Sequence, residues 1–279
     1  MADITAQMVQ ELREATNVGM MECKRALTEA GGDKQKAIRL LRERGMAIAA
    51  KKATRAANQG LIAAAVVDDG EMGALVEVNC ETDFVARNDG FQGFVKTVAE
   101  KAARMDSGVA DAMKDAVTAK VAELGENIVV RRSVRYAVQG KGVVAAYIHL
   151  GAKVGVLLEV GCEKDESARS ESFREFVKDI TLHIAACAPR ALDRTSVPAD
   201  LVASEREIYA KQVQGKPAAI IDKIVDGKMN KFYQQNCLVD QGFVKDPEQT
   251  VTKVMEAKGK ELGDKLVLRR FTRYQLGSD

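Results

Sequence analysis

The sequence has no tryptophan, and only 13 of its 279 residues are phenylalanine or tyrosine. Proteins that bind single-stranded nucleic acid commonly stack bases on aromatic side chains, and this chain offers few of them. Its 42 basic and 40 acidic residues leave a net charge of +2, so no general attraction to a polyanion is expected. Both features argue against direct binding of nucleic acid.

Reactive residues are also scarce. The chain has five cysteines without a CxxC pair and two histidines, of which His183 is predicted to pack on an amphipathic helix. Neither a disulfide framework nor a zinc site is indicated. The motifs GxxxxGK[ST], GxGxxG and GxSxG are all missing. We therefore predict a protein that is not an enzyme and that holds no metal and no cofactor.

No apolar run approaches the roughly 18 residues needed to cross a membrane. The amino-terminal stretch is polar and lacks the apolar segment of a signal peptide. We expect a cytoplasmic protein without a membrane partner. Apolar residues make up 46% of the chain, which is enough for a substantial core in one large or two to three small domains.

An internal repeat organises the chain. At an offset of 82, residues 60–103 align with residues 142–185 without a gap, with 17 identities over 44 positions. Cys80 then matches Cys162, at the end of an alternating apolar run, and both are predicted to be small core residues. Two copies of one supersecondary unit explain this similarity.

A second match, LGENIVVRRSVRY (124–136) with LGDKLVLRRFTRY (262–274), has an offset of 138, so the second copy carries 56 additional residues. We predict an α+β fold with antiparallel strands, built from a three-helix, UBA-like bundle, two repeated α+β subdomains and an inserted antiparallel helical hairpin, or coiled coil. The predicted boundaries are 1–54 for the bundle and linker, 55–140 for the first repeat, 141–189 with 235–279 for the second, and 190–234 for the hairpin.

Local patterns predict the elements within these domains. Met20 and Met21 are placed in the first loop of the bundle, where core packing and partner contact stay open as alternatives. Residues 51–59 are predicted to be a basic linker. Single helices are predicted over 91–105 and 110–124, and a last helix is predicted to begin at Asp246-Pro247. Strands are predicted over 61–67, 74–80, 128–138 and 266–276, a second hairpin over 143–161, and the inserted helices over 198–214 and 217–234.

The segment Glu81–Val85 follows a predicted strand and reads as a surface loop. Phe84 and Val85 either turn back into their own core or stand exposed. The repeat favours exposure, because the second copy has Glu166 and Ser167 at the same positions. An exposed apolar pair would indicate a protein partner.

At Thr82-Asp83-Phe84-Val85 the sequence resembles the bacterial translation elongation factor Ts family. The resemblance covers nearly the whole chain, including LREATNVGMMECKRALTEAGGD, EVNCETDFVARN, LGENIVVRR, YIHLGAKVGVL and GKMNKF. It implies a guanine-nucleotide exchange factor that binds elongation factor Tu in its GDP-bound and nucleotide-free states. The alternative function is a ribosome- or RNA-associated adaptor without exchange activity.

The resemblance also implies site residues. Thr82, Asp83, Phe84 and Val85 correspond to the family's loop that enters the partner near its bound Mg²⁺ and dislodges the ion. His149 corresponds to the hairpin histidine placed against the partner's phosphate-binding loop. Leu124 and Gly125, and also Met20 and Met21, are further predicted contacts. In the family the inserted hairpin forms a homodimer in some members and contacts the partner in others, and both roles stay open here.

Overall fold

The computed structural model describes residues 4–16, 18–213 and 217–278 of the chain. The helices in these residues are α1 Ala6–Thr16, α2 Met20–Glu29, α3 Lys34–Lys52, α4 Asp83–Ala86, α5 Asp89–Arg104, α6 Val109–Ala112, α7 Lys114–Leu124, α8 Asp165–Arg169, α9 Glu171–Cys187, α10 Ala199–Lys211, α11 Ala218–Asn236 and α12 Val251–Leu262. The strands are β1 Gln59–Val67, β2 Met72–Cys80, β3 Val129–Ala137, β4 Gly142–Ile148, β5 Val154–Gly161, β6 Gly242–Phe243, β7 Asp246–Thr250 and β8 Val267–Gln275. The predicted α+β class is confirmed.

The chain forms two compact units. Unit 1 contains Met1–Ala63, Val76–Ser133 and Leu276–Asp279, and unit 2 contains Ala64–Leu75 and Val134–Gln275. The domain boundaries predicted from the sequence follow the repeat instead, and they stay predictions.

Helices α1, α2 and α3 form a small bundle at the start of unit 1. Its core contains Leu12, Cys23 and Leu27, which are almost inaccessible to solvent. Asp33 begins α3 by accepting a hydrogen bond from the backbone N of Lys36 at 3.0 Å. Helix α3 continues through Lys52, so the linker predicted to begin at residue 51 was placed too early.

The first sheet has the strand order β1-β2-β3. Helix α5 contributes Phe91, Val95 and Val98 to the buried residues of unit 1. The single helix predicted over 110–124 is wrong, because the chain forms the short helix α6 and then α7, with Met113 between them at φ −97° and ψ 1°.

The second sheet has the order β4-β5-β8, and both strand pairs are antiparallel. Helix α9 packs on this sheet, where Phe173, Ile180 and Ile184 are fully buried with the apolar residues of β5. As predicted, Cys80 and Cys162 are buried.

Each copy of the repeat buries one glutamate between two arginines. Glu77 Oε2 lies 2.7 Å from Arg132 Nη2, and Arg131 also approaches Glu77. In the second copy, Glu159 lies 3.0 Å from Arg269 Nη1 and 2.7 Å from Arg270 Nε. The glutamates are related by the offset of 82 and the arginines by that of 138, so the pairing of these buried charges is a shared feature of the two copies.

The insertion forms an αα-hairpin of α10 and α11, as predicted, and the predicted restart at Gly215-Lys216 lies outside the described residues. Val225, Met229 and Phe232 bury their side chains in a small apolar cluster separate from that of the second sheet. The helix predicted from Asp246 is wrong: residues 246–250 are strand β7, paired with β6. Helix α12 begins only after Thr250, whose Oγ1 accepts from Lys253 N at 3.3 Å.

His183 on α9 is fully buried. Its Nε2 lies 2.9 Å from Gln241 Oε1, and Val244 N donates to its Nδ1 at 3.1 Å. Because Nδ1 accepts, Nε2 carries the proton, and the ring is neutral. Burial lowers the pKa of His183, and the hydrogen bond with Gln241 opposes that change in part. The predicted packing role is confirmed, with a specific pair of hydrogen bonds in addition.

Among the described residues, the helices are all too short or too polar to span a lipid bilayer.

Candidate partner-binding site

The segment predicted to be a loop after β2 is a single turn of helix, α4. Thr82 caps it in an extended conformation, and its Oγ1 accepts from Val85 N at 3.3 Å. The backbone N of Ala86 also donates to Thr82 O at 3.2 Å. Residues 82–86 therefore have a defined conformation, which fixes the direction in which each side chain leaves the turn.

Phe84 projects from this turn into solvent and is 80% exposed. Leaving a phenylalanine in water forgoes about 1.5–3 kcal/mol of burial free energy. Ala86, two residues later, is buried and anchors the turn to unit 1. Phe84 thus adds little to the stability of its own unit, which is the property expected of a contact residue.

Val85 is half-buried, so the predicted exposure of the pair holds for Phe84 only. The equivalent Ser167 in the second copy is buried, and its side chain interacts with the carboxylate of Asp264. A polar residue at that position therefore did not signal solvent exposure. Glu166, the counterpart of Phe84, is exposed as the repeat predicted.

Asp83 occupies the first turn of α4 and forms an ion pair with Arg87 Nη2 at 3.0 Å. Arg87 is largely exposed and Asp83 about half exposed, and such surface pairs contribute only about 0–1 kcal/mol. Asp83 can therefore exchange Arg87 for a donor on another protein at low cost.

Glu126, which the sequence analysis did not single out, holds the start of this turn. Its Oε2 accepts from the backbone N of Glu81 and of Thr82, each at 3.0 Å. Its Oε1 accepts from Thr82 Oγ1 at 2.6 Å. The signal in the sequence was the aligned pair Gly125-Glu126 and Gly263-Asp264, in which both copies keep an acid.

Leu124 and Gly125 end helix α7 immediately before Glu126. Gly125 has φ 74°, a left-handed conformation suited to glycine, and its N donates to Val121 O at 2.9 Å. Lys52 Nζ donates to the Gly125 carbonyl. The structure therefore brings the predicted contacts at 82–85 and 124–125 together through the carboxylate of Glu126.

Glu81 reinforces this junction from the other direction. Its Oε1 accepts from Asn127 N at 2.6 Å, and Arg55 Nη1 lies 3.5 Å from its Oε2. The hydrogen bond from Asn127 lowers the pKa of Glu81; burial opposes this, and Arg55 adds to it. Two carboxylates, Glu81 and Glu126, thus cross-connect the ends of β2 and α7.

Met20 and Met21 begin helix α2 and do not lie in the loop predicted for them. They are 54% and 69% exposed, so the core alternative is wrong for both. Two unbranched, apolar side chains on the surface of a small bundle are suited to adaptable contacts.

His149 lies in unit 2, just after β4, and is exposed. Its N donates to Val154 O at 2.9 Å, and its O accepts from Ala152 N at 2.9 Å, so the turn between β4 and β5 is closed. Tyr147 Oη lies 3.2 Å from His149 Nδ1 and restrains the ring.

Leu150, next to His149, is 89% exposed and was also missed from the sequence. At the offset of 82 its counterpart in the first copy is Asp68. Phe84 is the apolar member of its pair and lies in the first copy, opposite Glu166 in the second; Leu150 is the apolar member here and lies in the second copy. Each copy exposes one large apolar residue at a place where the other copy has an acid.

Comparison with known proteins places these features in a family. The sequence profile of the family described as Elongation factor TS matches residues 81–278. Proteins named Elongation factor Ts from Trichlorobacter lovleyi, Clostridium tetani and Nitratiruptor are 44%, 44% and 43% identical to this chain. Each comparison covers 98% of this chain and 93% of the relative.

The chain belongs to the elongation factor Ts family. The resemblance inferred from the sequence is thereby confirmed. Residues 82–85, 124–126 and 149–150 all lie within the part that the elongation factor Ts profile matches, whereas Met20 and Met21 lie before it. In the described residues, no cluster of three or more histidine, cysteine or acidic side chains has the arrangement of a metal site.

Proposed function

We propose that this protein is the guanine-nucleotide exchange factor of elongation factor Tu in translation elongation. It binds the GDP-bound partner, displaces Mg²⁺ and promotes release of GDP, so that GTP binds next. The observation that carries the proposal is the exposed Phe84 on a hydrogen-bonded turn, in a chain of the elongation factor Ts family.

An exchange factor needs differential affinity and no reactive group. A ligand shifts an equilibrium only by as much as it prefers one state over the other. If this chain binds the nucleotide-free partner more tightly than the GDP-bound partner, GDP must bind the complex more weakly by the same factor. Exchange therefore depends on a contact that is stronger with the nucleotide-free partner than with the GDP-bound partner.

Phe84 supplies that contact as an apolar wedge. Its ring is rigid, exposed in the free chain and costly to leave in water. Burying the ring therefore contributes the most binding free energy where the partner opens an apolar gap. Asp83, beside it, exchanges Arg87 for donors of the partner. In this proposal Thr82–Val85 enters near the Mg²⁺ site, and opening of that gap separates the ion from its ligands.

His149 and Leu150 act at a second contact, on the phosphate-loop side of the nucleotide site. The turn between β4 and β5 is closed by two backbone hydrogen bonds, so these side chains are presented without a large ordering cost. Leu124 and Gly125 support the first contact, and Met20 and Met21 dock the helical bundle.

The protein does not catalyse a chemical reaction in this proposal, and it acts in the cytoplasm, where its partner works. The αα-hairpin either joins two copies of the chain or adds a contact with the partner. Neither the family match nor the net charge of +2 supports the rival function, an RNA- or ribosome-associated adaptor.

The test is to mix the chain with elongation factor Tu loaded with GDP and to isolate the product by size exclusion. We expect a complex that has lost its nucleotide, with the GDP recovered in the free fraction. A complex that retains one GDP per partner, or no complex at all, would contradict the proposal. Filter binding to RNA over a series of salt concentrations tests the adaptor: tight, steeply salt-dependent binding would favour it.

A further inference from the structure

We propose that Glu126 is a positioning residue of the exchange reaction, which orients Phe84 through Thr82. This inference rests on the proposed function. It also reassigns Thr82, whose hydroxyl acts inside the chain and does not contact the partner.

The carboxylate of Glu126 binds the start of the turn directly. Glu126 accepts three hydrogen bonds, two from backbone N–H groups of residues 81 and 82 and one from the Thr82 hydroxyl. A carboxylate that accepts two successive backbone N–H groups fixes the direction of the chain there. Because β2 ends at Cys80, Glu126 determines how the chain leaves the sheet and where α4 begins.

The Thr82 hydroxyl connects Glu126 to the helical turn. The Thr82 hydroxyl donates to Glu126 Oε1 at 2.6 Å and accepts from Val85 N at 3.3 Å. The single donor of this hydroxyl and one of its acceptor positions are thus used within unit 1. The Glu126 carboxylate orients the Thr82 hydroxyl, and this hydroxyl caps α4. The cap in turn fixes the conformation of the helical turn from which Phe84 projects.

The second copy of the repeat has part of this arrangement. Asp264 accepts from Glu163 N at 3.1 Å and from Lys164 N at 3.0 Å, which reproduces the two backbone bonds. Lys164 replaces Thr82, however, and its Nζ donates to Gly263 O at 2.6 Å. The backbone clamp is therefore common to both copies, whereas a hydroxyl that links the acid to the cap of the following helix occurs at Thr82 and not at Lys164.

This difference separates a scaffold role from a functional one. If the clamp served stability alone, loss of either acid would affect stability and leave exchange unchanged. If Glu126 positions Phe84, its loss reduces exchange, and loss of Asp264 does not. Asp264 is thus a matched control within the same chain.

The experiment compares Glu126→Ala, Glu126→Asp and Thr82→Val with Asp264→Ala. For each variant, the rate of labelled GDP release from elongation factor Tu is measured over a range of chain concentrations, together with Tm. For Glu126→Ala we expect a fall of about ten- to a hundredfold in the saturating release rate, since three bonds to a charged acceptor are lost. For Asp264→Ala we expect release within about twofold of the wild type.

Glu126→Asp should keep the two backbone bonds, as Asp264 does, and should lose the bond to the Thr82 hydroxyl. It should therefore resemble Thr82→Val, and the double variant should be no worse than either single variant. Full additivity of the two changes would overturn the route through Thr82. These two conservative variants also serve as the test if Glu126→Ala fails to fold.

Amide hydrogen exchange of the free chain gives a readout that needs no partner. Glu126→Ala should accelerate exchange at Val85 and Ala86, because their caps are loosened, and should leave residues 164–168 unchanged. Unchanged protection at 85–86, unchanged GDP release, or an equal loss of release in Asp264→Ala would each overturn the inference while the wild-type activity stands. A wild-type chain that fails to release GDP would instead overturn the proposed function, and this inference with it.

Discussion

Replacement of Phe84 by alanine is expected to damage exchange while leaving the fold intact. In the free chain the ring is 80% exposed, so truncation removes only about a fifth of the 1.5–3 kcal/mol that full burial provides, or roughly 0.3–0.6 kcal/mol. In a chain of this size that loss corresponds to a fall in Tm of about 1–2 °C. Glu166, the exposed counterpart in the second copy, shows that this turn forms without a ring.

The effect on the partner should be far larger. Truncation of an aromatic side chain buried at the centre of an interface costs about 2–4 kcal/mol, which is roughly 30- to 1,000-fold in affinity. The loss should be greatest for the nucleotide-free partner, because the wedge fits the opened site. By reciprocity, GDP should then weaken binding of the variant by a smaller factor than it weakens binding of the wild type.

The assay is a pair of dissociation constants, for GDP-bound and nucleotide-free elongation factor Tu, measured beside Tm. Glu166→Ala is the matched control and should change none of the three quantities by much. Equal weakening toward both partner states would reduce Phe84 to a general docking residue. A fall in Tm of many degrees would mean that the ring belongs to the core, and it would refute the argument from exposure.

Three further predictions concern other parts of the chain. Leu150→Asp should slow GDP release by about tenfold with little change in Tm, because the first copy has Asp68 at this position; an unaffected release rate would remove Leu150 from the contact. Replacing residues 194–232 by a Gly-Ser bridge should leave a protein that melts cooperatively. Ala191 and Cys237 already lie side by side, and the hairpin packs in its own apolar cluster. Loss of cooperative melting would show that the hairpin is needed for the fold. The free energy of unfolding should fall as pH drops from 7 to 5, because burial lowers the pKa of His183 in the folded chain and the unfolded chain then binds more protons. His183→Gln should be less stable at pH 7 and should show a smaller decline toward pH 5; an equal decline would mean that other groups cause it.

The repeat was the most informative feature of the sequence. Because Glu166 stands where Phe84 stands in the other copy, exposure of the ring followed from comparison of two segments of one chain. The same comparison was misleading for Val85. Its counterpart Ser167 is buried and interacts with Asp264, and a buried polar residue with a partner looks in sequence like an exposed one.

Other features had no periodic signal. Glu126 accepts mostly from backbone N–H groups, and its one mark in the sequence is the acid that both copies keep at this position, which does not reveal what it binds. Strand β7 begins with Asp246-Pro247, which also reads as a helix start, and proline is tolerated at the first residues of a strand in so short a pair. The break at Met113 interrupts a segment of good helix formers, so local propensity favoured one continuous helix.

The central claim is that this chain releases GDP from elongation factor Tu by means of the turn that carries Phe84. The most direct measurement is stopped-flow release of fluorescent GDP from the partner in the presence of Mg²⁺, with wild-type chain, Phe84→Ala and Glu166→Ala. We predict that the wild type and Glu166→Ala accelerate release to the same saturating rate, and that Phe84→Ala loses most of the acceleration. Release that is no faster with the wild-type chain than without it would contradict the account, as would full activity of Phe84→Ala.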